Sequence, residues 1–168
     1  MRRLLVFLCA WMFVAPLPSL HAQPSHGERT PIEIEDAQGN VITFEVGEAA
    51  FADAVASFNP GEPHSDQGAD MGRLALGIPD YTRGNGGSTA ITLGCDGVLQ
   101  LQFTDNVLVD QPGADLHIFE VGPDVEPTFV AVSTDGETWR EIGQVEGGTA
   151  SLDISTVADS GEVFRFVR

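Results

Sequence analysis

Residues 98–103 read VLQLQF, and this short run decides how the rest of the chain is read. Leu99, Leu101 and Phe103 alternate with Gln100 and Gln102. A strand with period two puts the three apolar residues on one buried face and the glutamines on a wet one; a helix would scatter them around its circumference. The same signature recurs in both directions. Downstream lie DLHIFEV, TFVAVS, TWREIG, ASLDI and EVFRFV; upstream lie IEIED, VITFEV and TAITL. Ala37-Gln38-Gly39-Asn40 joins the first two upstream segments as a hairpin, with Ile42, Phe44 and Val46 on one face. Asp135-Gly136 joins TFVAVS to TWREIG as a tight hairpin turn. FADAVASF reads as either a short helix or a strand, and Asn59-Pro60-Gly61 ends it in both cases. Many short strands joined by short turns predict an all-β sandwich or barrel, with residues 32–168 forming a single domain.

Residues 59–88, NPGEPHSDQGADMGRLALGIPDYTRGNGGS, interrupt this rhythm with a long irregular loop rich in Gly, Pro, Asp and Ser. Loops of such length in a compact domain are usually functional or disordered. Its RLALGIPDY portion is apolar enough to be anchored on the core, and Tyr81 is its best candidate for an exposed aromatic contact. Tyr81, Arg83 and Asn85 are the candidate ligand contacts here. The glycine-rich run from Arg83 to Ser88 lacks the Lys-Ser/Thr ending of a phosphate loop and precedes a strand, so a mobile loop is the expected state.

The N-terminus has the form of a secretory signal. Arg2 and Arg3 precede the apolar run LLVFLCAWMFVAPL, and Ser19-Leu20-His21-Ala22 ends in a small residue, so residues 1–22 are expected to be removed by cleavage after Ala22. The run is short for a membrane span and is interrupted by Pro16 and Pro18, so no transmembrane span is expected after cleavage. Cys9 lies inside the apolar run, which argues against a lipoprotein. The expected location is extracytoplasmic: the periplasm, the outer membrane or the medium. Residues 23–31, QPSHGERTP, form a polar lead-in expected to be disordered.

The formal charge is −17, from 8 basic and 25 acidic side chains; without Arg2 and Arg3, 6 against 25 gives −19. Such a surface argues against nucleic acid, whose phosphates need basic partners, and against anionic membranes. It suits a soluble exported protein, or one that binds cations through carboxylates. Cys95 is the sole cysteine beyond the leader, so no internal disulfide can form, and a buried, inert thiol is expected. The chain has no GxSxG elbow and no CxxC, and His26, His64 and His117 lack metal-ligand spacing. His117 is expected at the surface or on an edge strand, and Trp139 in the core.

Three motifs together resemble the discoidin-like, or galactose-binding-like, jelly-roll module of bacterial exported proteins. They are Ala75-Leu76-Gly77-Ile78-Pro79-Asp80 closing the long loop, the segment Asp110 to Glu120 reading DQPGADLHIFE, and the hairpin Ser133-Thr134-Asp135-Gly136-Glu137-Thr138-Trp139. The resemblance covers roughly residues 50 to 168, and its most specific part is the middle motif. Gln111 departs from the glycine usual in that motif, and no OmpA-type domain follows. The chain stops at Phe164-Arg165-Phe166-Val167-Arg168, so either it is truncated or its last strand ends the domain. The resemblance implies a jelly-roll β-sandwich of the cell envelope that binds carbohydrate or another envelope polymer. It equally allows an architectural module that makes contacts to envelope proteins, from the N-terminal part of an OmpA-like protein. A hydrolase using the acids of residues 105–120 is the third reading.

Those acids are Asp105, Asp110, Asp115 and Glu120 in DNVLVDQPGADLHIFE. Alternation places Glu120 on the face of Leu116 and Ile118, where a buried carboxylate needs a partner: Ca²⁺, an arginine such as Arg73 or Arg165, or main-chain N–H groups. Asp110 and Asp115 bracket a Pro-Gly turn that could aim oxygens at a hard cation. By analogy with calcium-stabilised loops of related jelly rolls, Asp80 and Asp70 join them. Asp80, Asp110, Asp115 and Glu120 are thus the candidate calcium ligands, beside the alternatives of an acid-capped turn and of catalytic carboxylates. The register is not that of an EF-hand loop, and the separation that would identify a glycosidase pair is not readable from sequence.

Overall fold

The computed structural model describes residues 30–35, 39–62, 69–80, 90–120, 127–146 and 149–168. The leader, the lead-in to residue 29, and Tyr81, Arg83 and Asn85 lie outside the described residues. Among the described residues eleven strands follow one another: β1 (Ile32–Glu35), β2 (Val41–Phe44), β3 (Ala54–Asn59), β4 (Val98–Gln102), β5 (Leu108–Val109), β6 (Leu116–Phe119), β7 (Thr128–Ser133), β8 (Arg140–Val145), β9 (Thr149–Leu152), β10 (Val163–Phe164) and β11 (Phe166–Val167). Two 3-10 turns, Gly47–Ala50 and Ala69–Ala75, are the helical elements among the described residues. The chain is therefore mostly antiparallel β-structure, in agreement with the all-β expectation.

Five strands form one sheet in the order β3-β4-β11-β7-β8; β1-β2, β5-β10 and β6-β9 form separate pairs. The last strand is central: Phe166 lies opposite Gln102 of β4 on one side and Ser133 of β7 on the other. Phe103, Leu108, Leu116, Val130, Val132, Val145, Ile154, Phe164 and Val167 make one buried cluster. It joins apolar residues of the five-stranded sheet to those of β5, β6 and β10, which is why the β5-β10 and β6-β9 pairs, marginal alone, are held in place.

The structure corrects several expectations. TAITL is not a strand over its described residues. Gly94 (φ 75°) and Asp96 (φ 60°) are left-handed and bend the chain. The carbonyls of Leu93 and Cys95 accept hydrogen bonds from the amides of Gly61 and Glu62 instead of a neighbouring strand. The same bend leaves Cys95 exposed, not buried. EVFRFV is two strands: Phe164 enters the core beside β5, and after Arg165 the chain joins β4 and β7. Of FADAVASF, the residues from Ala54 onward form strand β3, with a bulge between Val55 and Ser57. In β4 all five residues are half-buried, so Gln100 and Gln102 do not form a wet face; strands on both edges take water away from them. The Asp135-Gly136 hairpin exists, but its closing pair is Val132 opposite Arg140, so the loop is wider than a two-residue turn.

Candidate functional site

The antiparallel register of β6 and β9 pairs Leu116 with Leu152. The residues just outside that pair, Asp115 and Asp153, therefore meet across the sheet end. With Asp110 from the other side of the Pro-Gly turn they form a group whose ligand oxygens, one from each residue, lie within 4.8 Å of one another. Asp110 and Asp153 are exposed and Asp115 is half-buried.

Asp115 is the organising member. Its Oδ1 accepts the Gln111 amide at 2.8 Å and closes the turn; its Oδ2 accepts the Ile154 amide at 3.1 Å and ties that turn to the chain leaving β9. Its own amide donates to the Leu152 carbonyl at 2.8 Å. Asp153 Oδ1 accepts the Ser155 amide at 2.8 Å. The Ser155 hydroxyl, and then that amide, hold the Asp153 carboxyl below its ordinary range. The Gln111 side-chain amide donates to the Asp110 carbonyl at 2.8 Å, further stiffening the turn.

Of the four candidate calcium ligands, Asp110 and Asp115 are brought together. Asp80, exposed at the end of the long-loop segment, and Glu120, half-buried after β6, are not part of this group. Asp153 is the member that sequence reading missed. Its one local signal is the alternation of ASLDI, and nothing local links it to residue 115; the strand register does.

A cleft of about 500 Å³ adjoins the group, lined by Val109, Asp110, Gln111, Ser160, Gly161 and Glu162. Its far wall is fixed by Arg140. The guanidinium forks onto both Glu162 oxygens at 2.6 and 2.7 Å, donates to the Val157 carbonyl at 2.6 Å, and lies 5.7 Å from the Phe164 ring centre. The planar fork matches a carboxylate, so the pair holds orientation as well as charge. The Asp159 amide and Arg140 keep the Glu162 carboxyl low. A second concavity, about 390 Å³, is lined by Glu48, Phe51, Asp53, Gly77 and Asp105 among others. There Asp53 Oδ2 accepts the amides of Thr104 at 2.6 Å and Asp105 at 3.3 Å.

The SxDGxTW hairpin is built by two side chains. The Ser133 hydroxyl, 1% exposed, donates to Asp135 Oδ1 at 2.9 Å and accepts the Gly136 amide at 2.8 Å. Asp135 Oδ1 accepts the amides of Glu137 and Thr138, both at 2.8 Å. Led by the Thr138 amide, these bonds lower the Asp135 carboxyl from 3.8 to about 2. A carboxyl depressed in the folded state stabilises it fully above its unfolded value and loses that contribution as pH falls through the folded one. The Asp135 contribution is thus present above pH 3.8 and lost towards pH 2. In acid titrations followed by circular dichroism, Asp135→Asn is expected to be less stable than the parent at neutral pH. The gap should close as the parent descends that window; a constant gap would contradict this account.

Trp139 is half-buried and carries the Arg168 guanidinium 4.6 Å from its ring centre, so it is a stacked boundary residue, not a core one. His117 lies on β6, an edge strand as expected, and is half-buried. Its Nδ1 lies 2.9 Å from the Ser151 hydroxyl, and its ring meets Phe44 edge-on at 5.6 Å. Burial pushes its pKa below the usual histidine range, while the Asp115 charge pulls it up.

No protein-family model, no curated protein and no solved structure matches the chain.

Proposed function

We propose that this chain is an exported, non-catalytic binding module of the bacterial cell envelope. In this reading it has a jelly-roll topology, and its ligand class is carbohydrate or another envelope polymer. The observation that carries the reading is the use made of the acids. Asp115, Asp135, Asp153 and Asp53 each accept main-chain amides and fasten turns. Among the described residues, the carboxyls with a resolved shift, Asp135, Asp153 and Glu162, are all shifted downward. A general acid at neutral pH needs the opposite shift. Acids used in this way hold a loop-bearing scaffold rigid, which is what a binding module requires. A single core uniting the five-stranded sheet with β5, β6 and β10 supports the jelly-roll topology.

Within this reading, calcium stabilises the turn through Asp110, Asp115 and Asp153. The donors fit a hard cation, being all carboxylate oxygens within one ion's reach. Main-chain carbonyls and water would complete a shell of about six to eight oxygens.

A thermal melt of the whole chain tests both parts, with calcium, with chelator, and with soluble envelope glycans and peptidoglycan fragments, on the parent and on Asp115→Asn. A ligand specific for the folded state raises the midpoint, by about 2.7 kcal/mol of stability at a hundred times its Kd. Calcium is expected to stabilise the parent and not the variant, and at least one glycan to stabilise the parent. Asp115→Asn keeps one acceptor oxygen and is expected to cost about 1–2 kcal/mol by itself. If no glycan or fragment moves the midpoint of the folded chain, the binding reading fails. If calcium moves nothing while Asp115→Asn still destabilises, Asp115 is a turn clamp without an ion.

A further inference from the structure

The β1-β2 hairpin is attached to the rest of the chain unlike any other strand pair. Its two strands hydrogen-bond to each other and, among the described residues, belong to no larger sheet. None of its residues belongs to the buried core cluster or to the partly buried side chains packed against that cluster. The hairpin is amphipathic: Ile32, Ile34, Ile42 and Phe44 are half-buried, and the alternating residues are exposed, Val41 by 59%. A two-stranded hairpin of this length is at best marginal alone, so its order depends on what that half-buried face touches. The aromatic contacts converge on one residue. Phe44 meets Phe51 at 5.0 Å, His117 at 5.6 Å and Phe119 at 6.3 Å, and the last two stand on the same face of β6. Both ends of the hairpin meet at Gly47. Its φ is +63°, and a Cβ there would lie 2.4 Å from the Thr30 carbonyl oxygen, so this crossing suits glycine alone.

We propose that the β1-β2 hairpin is a flap clasped by Phe44, opening as a unit about Gly47 while the five-stranded sheet stays folded, and uncovering the His117–Phe119 face of β6. The uncovered face carries an aromatic ring, an imidazole and the Ser151 hydroxyl, and lies beside the Asp115 turn. Sub-global openings of this kind occur where an element has few core contacts of its own.

Amide exchange on the whole chain at neutral pH, with carbethoxylation of His117 by diethyl pyrocarbonate, tests the proposal. Amides of residues 32–35 and 41–44 are expected to exchange through an opening at least roughly tenfold more populated than that of β7 and β11, with weak denaturant dependence, as sub-global events show. Phe44→Ala is expected to abolish hairpin protection and to speed His117 modification several-fold, leaving β7 and β11 protected. Phe44→Leu, which keeps apolar bulk, should fall between. The proposal is overturned if hairpin amides in the parent exchange only with β7. It is equally overturned if Phe44→Ala strips protection from β7 and β11 too, or leaves hairpin protection unchanged.

Discussion

Phe164→Ala is expected to destabilise the fold by about 3–5 kcal/mol, the usual range for emptying a phenyl-sized site in a core. Phe164 is 1% exposed and packs in the cluster with Val132 and Ile154, both 0% exposed. It stands where the chain crosses from its pairing with β5 to its pairing with β4 and β7, in the core that joins the β5-β10 pair to the five-stranded sheet. Neighbours cannot collapse into the void without moving a strand from its register, which puts the cost at the upper part of the range. The ring also supports Arg140, so the Glu162 fork loosens with it. In urea the midpoint should fall while the slope is unchanged, the mark of a native-state loss. Val163→Ala, at a position 41% exposed, is the comparison and should stay within about 0.5 kcal/mol of the parent. Equal losses at the two positions would mean that the core is not where the structure puts it.

What could be read from sequence, and what could not, divides along one physical line. Period-two alternation is local, and it located β1, β2, β4, β6, β7, β8 and β9 closely. Apart from the width of the 133–139 hairpin, the errors come from interactions between distant residues. TAITL has the β-branched composition of a strand, but the Leu93 and Cys95 carbonyls are taken by Gly61 and Glu62. His117 occupies the edge strand that its alternation allows, but its half-burial against Phe44, from far along the chain, has no local signal. The acid site divides in the same way. Asp110 and Asp115 flank one Pro-Gly turn and were legible together, whereas Asp153 enters through the Leu116–Leu152 register. The hairpin at 133–139 was legible as a motif. Its width was not, because two side chains, Ser133 and Asp135, take over amides that a tight turn would have paired within the backbone.

Gly61→Ala is the second large effect, and it tests the anchor that holds the start of the long loop. A Cβ on Gly61 would lie 1.7 Å from the Cys95 carbonyl oxygen, and one on Gly97 would lie 2.0 Å from that of Leu93. The two glycines interlock: Gly61 donates to the Leu93 carbonyl at 2.8 Å, and a Cβ on Gly97 would lie 2.9 Å from the Gly61 nitrogen. Backbone, not a movable side chain, fills the space, so the clash is relieved only by separating the segments and breaking the Gly61 and Glu62 bonds. Overpacking costs about 1–3 kcal/mol and occasionally more; with two main-chain bonds lost besides, about 3 kcal/mol or more is expected. Two other glycines isolate the cause. Gly77→Ala meets nothing within 4 Å but sits at φ +75°, so it measures left-handed strain alone, about 1–2 kcal/mol. At Gly72 the new methyl would stand 3.0 Å from a Val55 methyl, a side chain that can turn away, so the loss should be smaller than at Gly61. Equilibrium unfolding of the three variants should therefore rank Gly61→Ala as the most damaging. If Gly77→Ala costs as much, backbone conformation and not the interlock sets the loss. If Gly61→Ala is neutral, the 59–62 segment is not docked on the 93–97 bend at all.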